Sequence, residues 1–109
     1  MKSRYDRCQF HLLYGLFYLG IDQSQKASEE FEKAHRLDNA NVFVMMKWAR
    51  TLYDLGQTLY MDGSAAFRDY LVDCAHLVKK ILGFDKDNQE GINLMHSLHQ
   101  FFGIEIDET

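Results

Sequence analysis

The residues of this sequence that could support chemistry are few, and they lie far apart. His96 and His99 are three residues apart, close enough to share one face of a helix, and Glu90 precedes them. Imidazole and carboxylate groups are common metal ligands, but Glu-x-x-His motifs on two helices and a His-Glu-x-x-His sequence are both missing. A helical bundle that binds a metal or small ligand through these three residues is therefore the weakest of three hypotheses. We expect no metal and no cofactor.

The two cysteines do not suggest a catalytic site. Cys8 has His11 as a local helical neighbour, yet a nucleophile also needs a thiolate-favouring environment and a third, orienting group. Cys8 and Cys74 lack Cys-x-x-Cys spacing and are too few for a disulfide framework, so we expect two reduced, mostly buried thiols. Phosphate-binding loops, dinucleotide fingerprints and nucleophile elbows are also missing, and we expect no enzymatic activity.

Composition and charge favour one domain with a hydrophobic core. The 109 residues are 47% hydrophobic and 26% charged, with a formal net charge of −4. An acidic tail over residues 104–109 has no basic block to balance it, which makes nucleic acid a poor partner. The apolar run 12–21 is far shorter than the ~20 residues needed to span a bilayer, and no cleavage site follows it. We therefore expect an intracellular, cytoplasmic protein without membrane insertion.

Turn signals and apolar spacing predict five helices and an all-α fold. Proline is absent, and no segment alternates like a strand. The first helix is predicted to start at Ser3 with Asp6 and to stop at Gly20, and the second to run from Asp22 with Gln25 to Leu37. The third is predicted to start at Asn41 and to end at Gly63. The fourth is predicted to start at Ser64, and the fifth to run from Asp87 with Glu90 to Gly103. The spacing also predicts that Gly56 lies inside the third helix. Connections of two to five residues make consecutive helices fold back as antiparallel hairpins.

A repeated pattern of small and aromatic residues occupies residues 8–41. Its members are Gly15, Tyr18, Ala27, Phe31 and Ala34, followed by Leu37-Asp38-Asn39. Small residues let two helices approach closely, and the aromatic rings fill the space beside them. This pattern resembles the tetratricopeptide repeat, except that Asn39 stands where that repeat usually has proline.

Residues 42–88 resemble a second, degenerate repeat. Ala49 and Leu52 follow the order of Gly15 and Tyr18, and the sequence after Phe84 echoes the sequence after Leu37. This unit is 47 residues long against 34 in the family, so about 13 residues are extra, and we expect them to lengthen both helices. Residues 89–103 would form a capping helix. The resemblance thus implies a single tetratricopeptide-like domain over residues 1–109, with two antiparallel hairpins and a C-terminal cap.

The resemblance also implies a binding surface. In this family the first helix of each hairpin lines a concave groove that receives a peptide. The corresponding positions are Gln9, Leu12, Leu16 and Leu19 on the first helix and Phe43, Met46, Arg50 and Tyr53 on the third, with Lys47 beside them. The groove would be mainly apolar, although Lys47 and Arg50 could pair with an acidic group. The implied function is an adaptor or chaperone-like module that binds a partner polypeptide.

The first helix offers an alternative, because it has no polar face from residue 10 onward. A helix that is apolar all round must be covered on every side. A homodimer in which the first helix packs on its own copy is therefore the second hypothesis. We predict core positions for seven residues: Leu13, Phe17, Tyr18, Ala27, Phe31, Trp48 and Leu52. For Leu12, Leu16, Phe43 and Met46, core and groove remain equally open.

Overall fold

The computed structural model describes residues 3–105, which fold into five α-helices. They are α1 (Arg4–Gly20), α2 (Ser24–Leu37), α3 (Val42–Met61), α4 (Phe67–Phe84) and α5 (Gln89–Phe102). The described residues contain no β-strand, so the predicted all-α class with five helices is confirmed. Gly56 lies inside α3, as the apolar spacing predicted. Of the predicted acidic tail, residues 106–109 lie outside the described residues.

Asparagine and serine side chains fix the start of three helices. The side chains of Ser3, Asn41 and Asn88 accept hydrogen bonds from the backbone N–H groups of Asp6, Val44 and Gly91. Each bond satisfies one of the N–H groups that the first turn of a helix leaves without a partner. Gly103 ends α5 with a φ of 67°, a left-handed conformation that glycine adopts without steric cost.

Three predicted helix starts were wrong. Asp22 has a φ of 62°, and α2 begins two residues later behind Gln23, whose side chain makes no capping bond. Ser64 accepts a hydrogen bond from the N–H of Ala66 in the turn that precedes α4. Asn88, and not Asp87, caps α5. At α5 the neighbouring Asn88 takes the place of the predicted cap, whereas no side chain caps α2 or α4.

The first four helices form two antiparallel pairs. In the first pair, the Cys8 thiol near the start of α1 donates to the Ala34 carbonyl near the end of α2. The Tyr18 ring near the end of α1 lies under the Lys26 ammonium near the start of α2. In the second pair, Tyr60 of α3 stacks edge-on against Phe67 of α4. The short connections after α1 and α3 leave each following helix no other route than to return along its neighbour.

The pairs stack so that α2 and α4 run side by side. The Tyr70 hydroxyl donates to Gln25 Oε1 at one end, and Lys80 Nζ lies 3.2 Å from His35 Nε2 at the other. Helix α3 packs on α2 as well as on α4, and α5 packs on α4 and α3. Each helix after α2 therefore covers a face of an earlier helix.

Two hydrophobic clusters form the core, and the partly buried ring of Trp48 packs against both of them. Ala27, Phe31 and Leu52 are buried as predicted. The prediction that Leu13 and Phe17 belong to the core was wrong. Their exposed fractions are 65% and 53%, because no element among the described residues covers that side of α1.

The 13 extra residues of the second pair lie mainly in its helices. From residue 8 onward α1 contributes 13 residues, whereas α3 has 20. Helix α2 has 14 residues against 18 in α4, and the loop within the pair lengthens from residues 21–23 to residues 62–66. The extra residues therefore mainly lengthen α3 and α4, and they do not form an inserted domain.

Candidate functional site

One side of α1 carries a continuous strip of exposed apolar side chains, which we call the α1 outer face. Its members are Phe10, Leu13, Tyr14 and Phe17. They recur every three to four residues and therefore share one side of the helix. All four line an open depression, and the rings of Phe10 and Tyr14 lie 5.0 Å apart. Exposed apolar side chains that form one contiguous patch are typical of interaction surfaces.

The α1 outer face has a counterpart on α3, 34 residues later. Gly15 corresponds to Ala49 in this register, so the face corresponds to Val44, Lys47, Trp48 and Thr51. Two of these residues pack against the preceding helix: Val44 is buried in the cluster with α2, and Trp48 Nε1 donates to Ser28 Oγ at 3.1 Å. The Lys47 ammonium lies instead over the ring of Phe43. Thr51 is also buried. Helix α3 thus uses this side to contact the hairpin before it.

Helix α5 repeats this arrangement. The two helix caps Asn41 and Asn88 set a register of 47 residues, which places Gly91 at the position of Val44 and Leu98 at the position of Thr51. Both α5 residues are buried, and the Gly91 backbone lies close to Leu82 of α4. In α3 and α5 the equivalent side therefore packs on a preceding helix, whereas in α1 it is exposed.

The predicted groove residues fall into different environments. Leu12 and Tyr53 are buried, at 7% and 6% exposure, and the Tyr53 ring packs edge-on against Phe102 of α5. Leu16 and Leu19 are partly buried against the α1–α2 cluster. Helix α5 thus covers Tyr53, the last of the predicted groove positions. On this side the first helix offers little apolar surface.

The other groove residues remain closer to the surface. Phe43 is exposed, with the Lys47 ammonium 5.5 Å from the centre of its ring. Arg50 is exposed and pairs with Asp54 at 3.4 Å, while Met46 Sδ accepts a hydrogen bond from Asn88. That these residues bind a partner stays a prediction.

Sequence reasoning named the first helix as a possible contact surface but did not identify which side of it is exposed. Leu13 and Phe17 were assigned to the core because large apolar residues are usually buried. The repeat register contained part of the missing signal, since it aligns Phe10 and Tyr14 with Val44 and Trp48, which meet the preceding hairpin. No hairpin precedes α1 among residues 3–105, and that side is left in solvent.

The histidines considered as metal ligands do not assemble a site. His96, His99 and Glu105 border one shallow depression, with His99 Nδ1 3.9 Å from Glu105 Oε1, and Glu90 is not part of it. Within residues 3–105, no three histidine, cysteine or acidic side chains are placed to hold a metal ion.

Both cysteines are buried thiols in different helix pairs. The Cys8 thiol donates to the Ala34 carbonyl at 3.4 Å, and burial together with the nearby Asp38 raises its pKa. Burial raises the pKa of Cys74 to about 12. Neither environment favours the reactive thiolate.

A polar cleft lies between α2 and α4, beside Trp48. It has a volume of about 310 Å³ and is lined by Glu32, His35, Trp48, Leu52, Asp73, His76, Leu77 and Lys80. The imidazole ring of His35 lies 5.4 Å from the Trp48 ring. Burial and the nearby Lys80 ammonium lower the pKa of His35, and Asp38 opposes this shift.

Comparison of the chain with protein-family models, with curated proteins and with solved structures finds no match. Among residues 3–105, none of the helices combines the length and the apolar character that crossing a membrane requires.

Proposed function

We propose that this chain is a tetratricopeptide-like interaction module that binds another polypeptide, with the α1 outer face as its main contact surface. The observation that carries this proposal is the repeat of one packing face on three helices. Val44 and Trp48 use that face on α3, Leu98 uses it on α5, and Leu13 and Phe17 expose it on α1.

The chemistry of the face supports a protein partner. Complete burial of a large apolar side chain contributes about 1.5–3 kcal/mol, so covering the exposed half of Leu13, Tyr14 or Phe17 contributes about 1 kcal/mol each. From Cys8 to Ile21 the sequence has no Asp, Glu, Lys or Arg, so an approaching apolar surface does not have to desolvate a formal charge. Aromatic side chains are enriched at the centre of protein interfaces.

The predicted groove is a second surface of the same module. Phe43 is its exposed apolar residue, and the adjacent Lys47 ammonium would suit an acidic group on a bound segment. If both surfaces bind, Phe43→Glu weakens capture of a segment in the groove and leaves contacts at Leu13 intact.

Site-specific photo-crosslinking tests the proposal. A benzophenone amino acid placed at Leu13 should form a covalent adduct with a polypeptide in cells that produce the protein, and mass spectrometry of the adduct identifies that polypeptide, including a second copy of this chain. The same probe at Phe101, an equally exposed position on α5, is the matched control. Adducts that are no more abundant at Leu13 than at Phe101 would refute the assigned surface.

A further inference from the structure

The residues of the α1 outer face are spaced symmetrically along the helix. Phe10, Leu13, Tyr14 and Phe17 lie symmetrically about the midpoint between residues 13 and 14, with an aromatic ring at each end. A second helix rotated by 180° about an axis through that midpoint would run antiparallel to the first. It would place Phe10 opposite Phe17 of the second copy, and Leu13 opposite Tyr14 of the second copy.

We propose that the α1 outer face binds the same face of a second copy of this chain, across a two-fold axis at residues 13 and 14. This inference rests on the proposed function, because it names the occupant of the same surface. Two-fold contacts require a patch that complements itself, so that each residue pair occurs twice. The positions 10, 13, 14 and 17 have the same spacing in both directions and all carry apolar or aromatic side chains, so the strip meets this requirement.

The exposed area is close to what a stable dimer needs. Aromatic side chains bury about 150–250 Å² each, and those of the face are roughly half exposed, so with Leu13 one copy offers roughly 400 Å². Two copies, together with flanking atoms, reach the ~1,000 Å² that a specific interface should exceed. No formal charge lies within the strip, and His11 is directed away from it, toward Glu30 of α2 at 3.4 Å.

The rival occupant is a helix of another protein that packs as α2 packs on α3. Aromatic content favours the second copy. Three of the four residues that meet across the axis are Phe10, Tyr14 and Phe17. Two rings that meet across the axis gain aromatic pairing in addition to burial.

The test is the mass of the protein in solution, measured by sedimentation equilibrium at micromolar concentration. We expect the wild type to have twice the chain mass of 12.8 kDa. Leu13→Glu should be a monomer with an unchanged circular dichroism spectrum, because Leu13 is exposed and its replacement leaves the core intact. Phe101→Glu, which adds the same charge on α5, should remain a dimer.

A charge-pair variant tests the register. Tyr14→Lys alone should be a monomer, whereas a mixture of Leu13→Glu and Tyr14→Lys chains should regain mixed dimers, because the axis places those two positions opposite each other. A monomeric wild type, or a dimer that survives Leu13→Glu, would overturn this inference. If the wild type is monomeric while the probe at Leu13 still crosslinks a different polypeptide, the dimer is excluded and the proposed function stands.

Discussion

Gly15 of α1 lies directly against the ring of Phe31 of α2, with no space for a side chain between them. A Cβ atom built on Gly15 would lie 2.7 Å from Phe31 Cδ1 and closer still to Cε1. The Phe31 ring is completely buried, so it has little room to move away. This contact sets how closely the first two helices approach, and it explains why the repeat needs a small residue at position 15.

Gly15→Ala should therefore destabilise the protein, although alanine is the better helix former. Forcing an extra methyl group into a packed core costs about 1–3 kcal/mol, which exceeds the ~1 kcal/mol gain in helix propensity. Urea unfolding followed by circular dichroism measures the change. Gly83→Ala in α4 is the matched control, because nothing lies within 4 Å of its Cβ position, and it should stabilise the protein by about 0.5–1 kcal/mol. Equal stabilisation by both substitutions would contradict the assigned contact.

Asn41→Ala should lower the free energy of unfolding by about 1 kcal/mol, the usual contribution of a helix N-cap. Its side-chain oxygen accepts the Val44 N–H at 3.1 Å at the start of α3. Asn39→Ala is the matched control, since Asn39 is an exposed residue of the same loop. A comparison of the two unfolding curves isolates the capping bond. If Asn39→Ala costs as much as Asn41→Ala, the loop and not the cap accounts for the effect.

The sequence predicted the number of helices and several of their boundaries, but not every helix start. Asn41 and Gly103 were assigned as helix boundaries because their side-chain or backbone chemistry suits a helix end, and Gly56 was placed inside α3 by the apolar spacing. These predictions depend on a few consecutive residues. The predicted cap at Asp87 failed because several polar residues in one turn can each serve as a cap, whereas Asp22 adopts a left-handed conformation and no side chain caps α2.

The candidate site was harder to predict, because burial depends on residues that are distant in the chain. Helix α1 is apolar on every side, so its periodicity could not show which side would be covered. Leu12 faces α2 and is buried, whereas the adjacent Leu13 faces solvent. Tyr53 likewise matched a groove position, yet Phe102 packs on it from α5. Only the packing of α5 and α2 distinguishes these cases.

The two thiols should be protected from modification in the folded protein. Cys8 and Cys74 are buried, and burial raises the pKa of both, so the nucleophilic thiolate is scarce at neutral pH. A chromogenic disulfide reagent should react slowly with the native protein and should titrate two thiols in concentrated guanidinium chloride. Cys8→Ser and Cys74→Ser variants assign each thiol. If either thiol reacts rapidly with the reagent in the native protein, its helix pair opens readily.

Stability should fall as the pH drops from 7.5 to 5.5, partly because of His35. Its pKa is lowered in the folded state by burial and by Lys80, so the unfolded chain binds a proton more readily than the folded chain does. The stabilising contribution of the neutral ring is complete above the ordinary histidine pKa of about 6.5. It is lost as the pH falls through that value toward the lower pKa of the folded state.

His35→Gln should reduce this loss of stability, measured as the difference between urea unfolding at pH 7.5 and at pH 5.5. His96→Gln, which removes an exposed histidine, should behave like the wild type. Trp48 offers a direct readout, because it is the only tryptophan and its ring lies 5.4 Å from that of His35. A protonated imidazole quenches tryptophan fluorescence, so emission of the folded protein should fall at acidic pH in the wild type and stay constant in His35→Gln. Emission that falls equally in both would contradict the assignment of the acid sensitivity to His35.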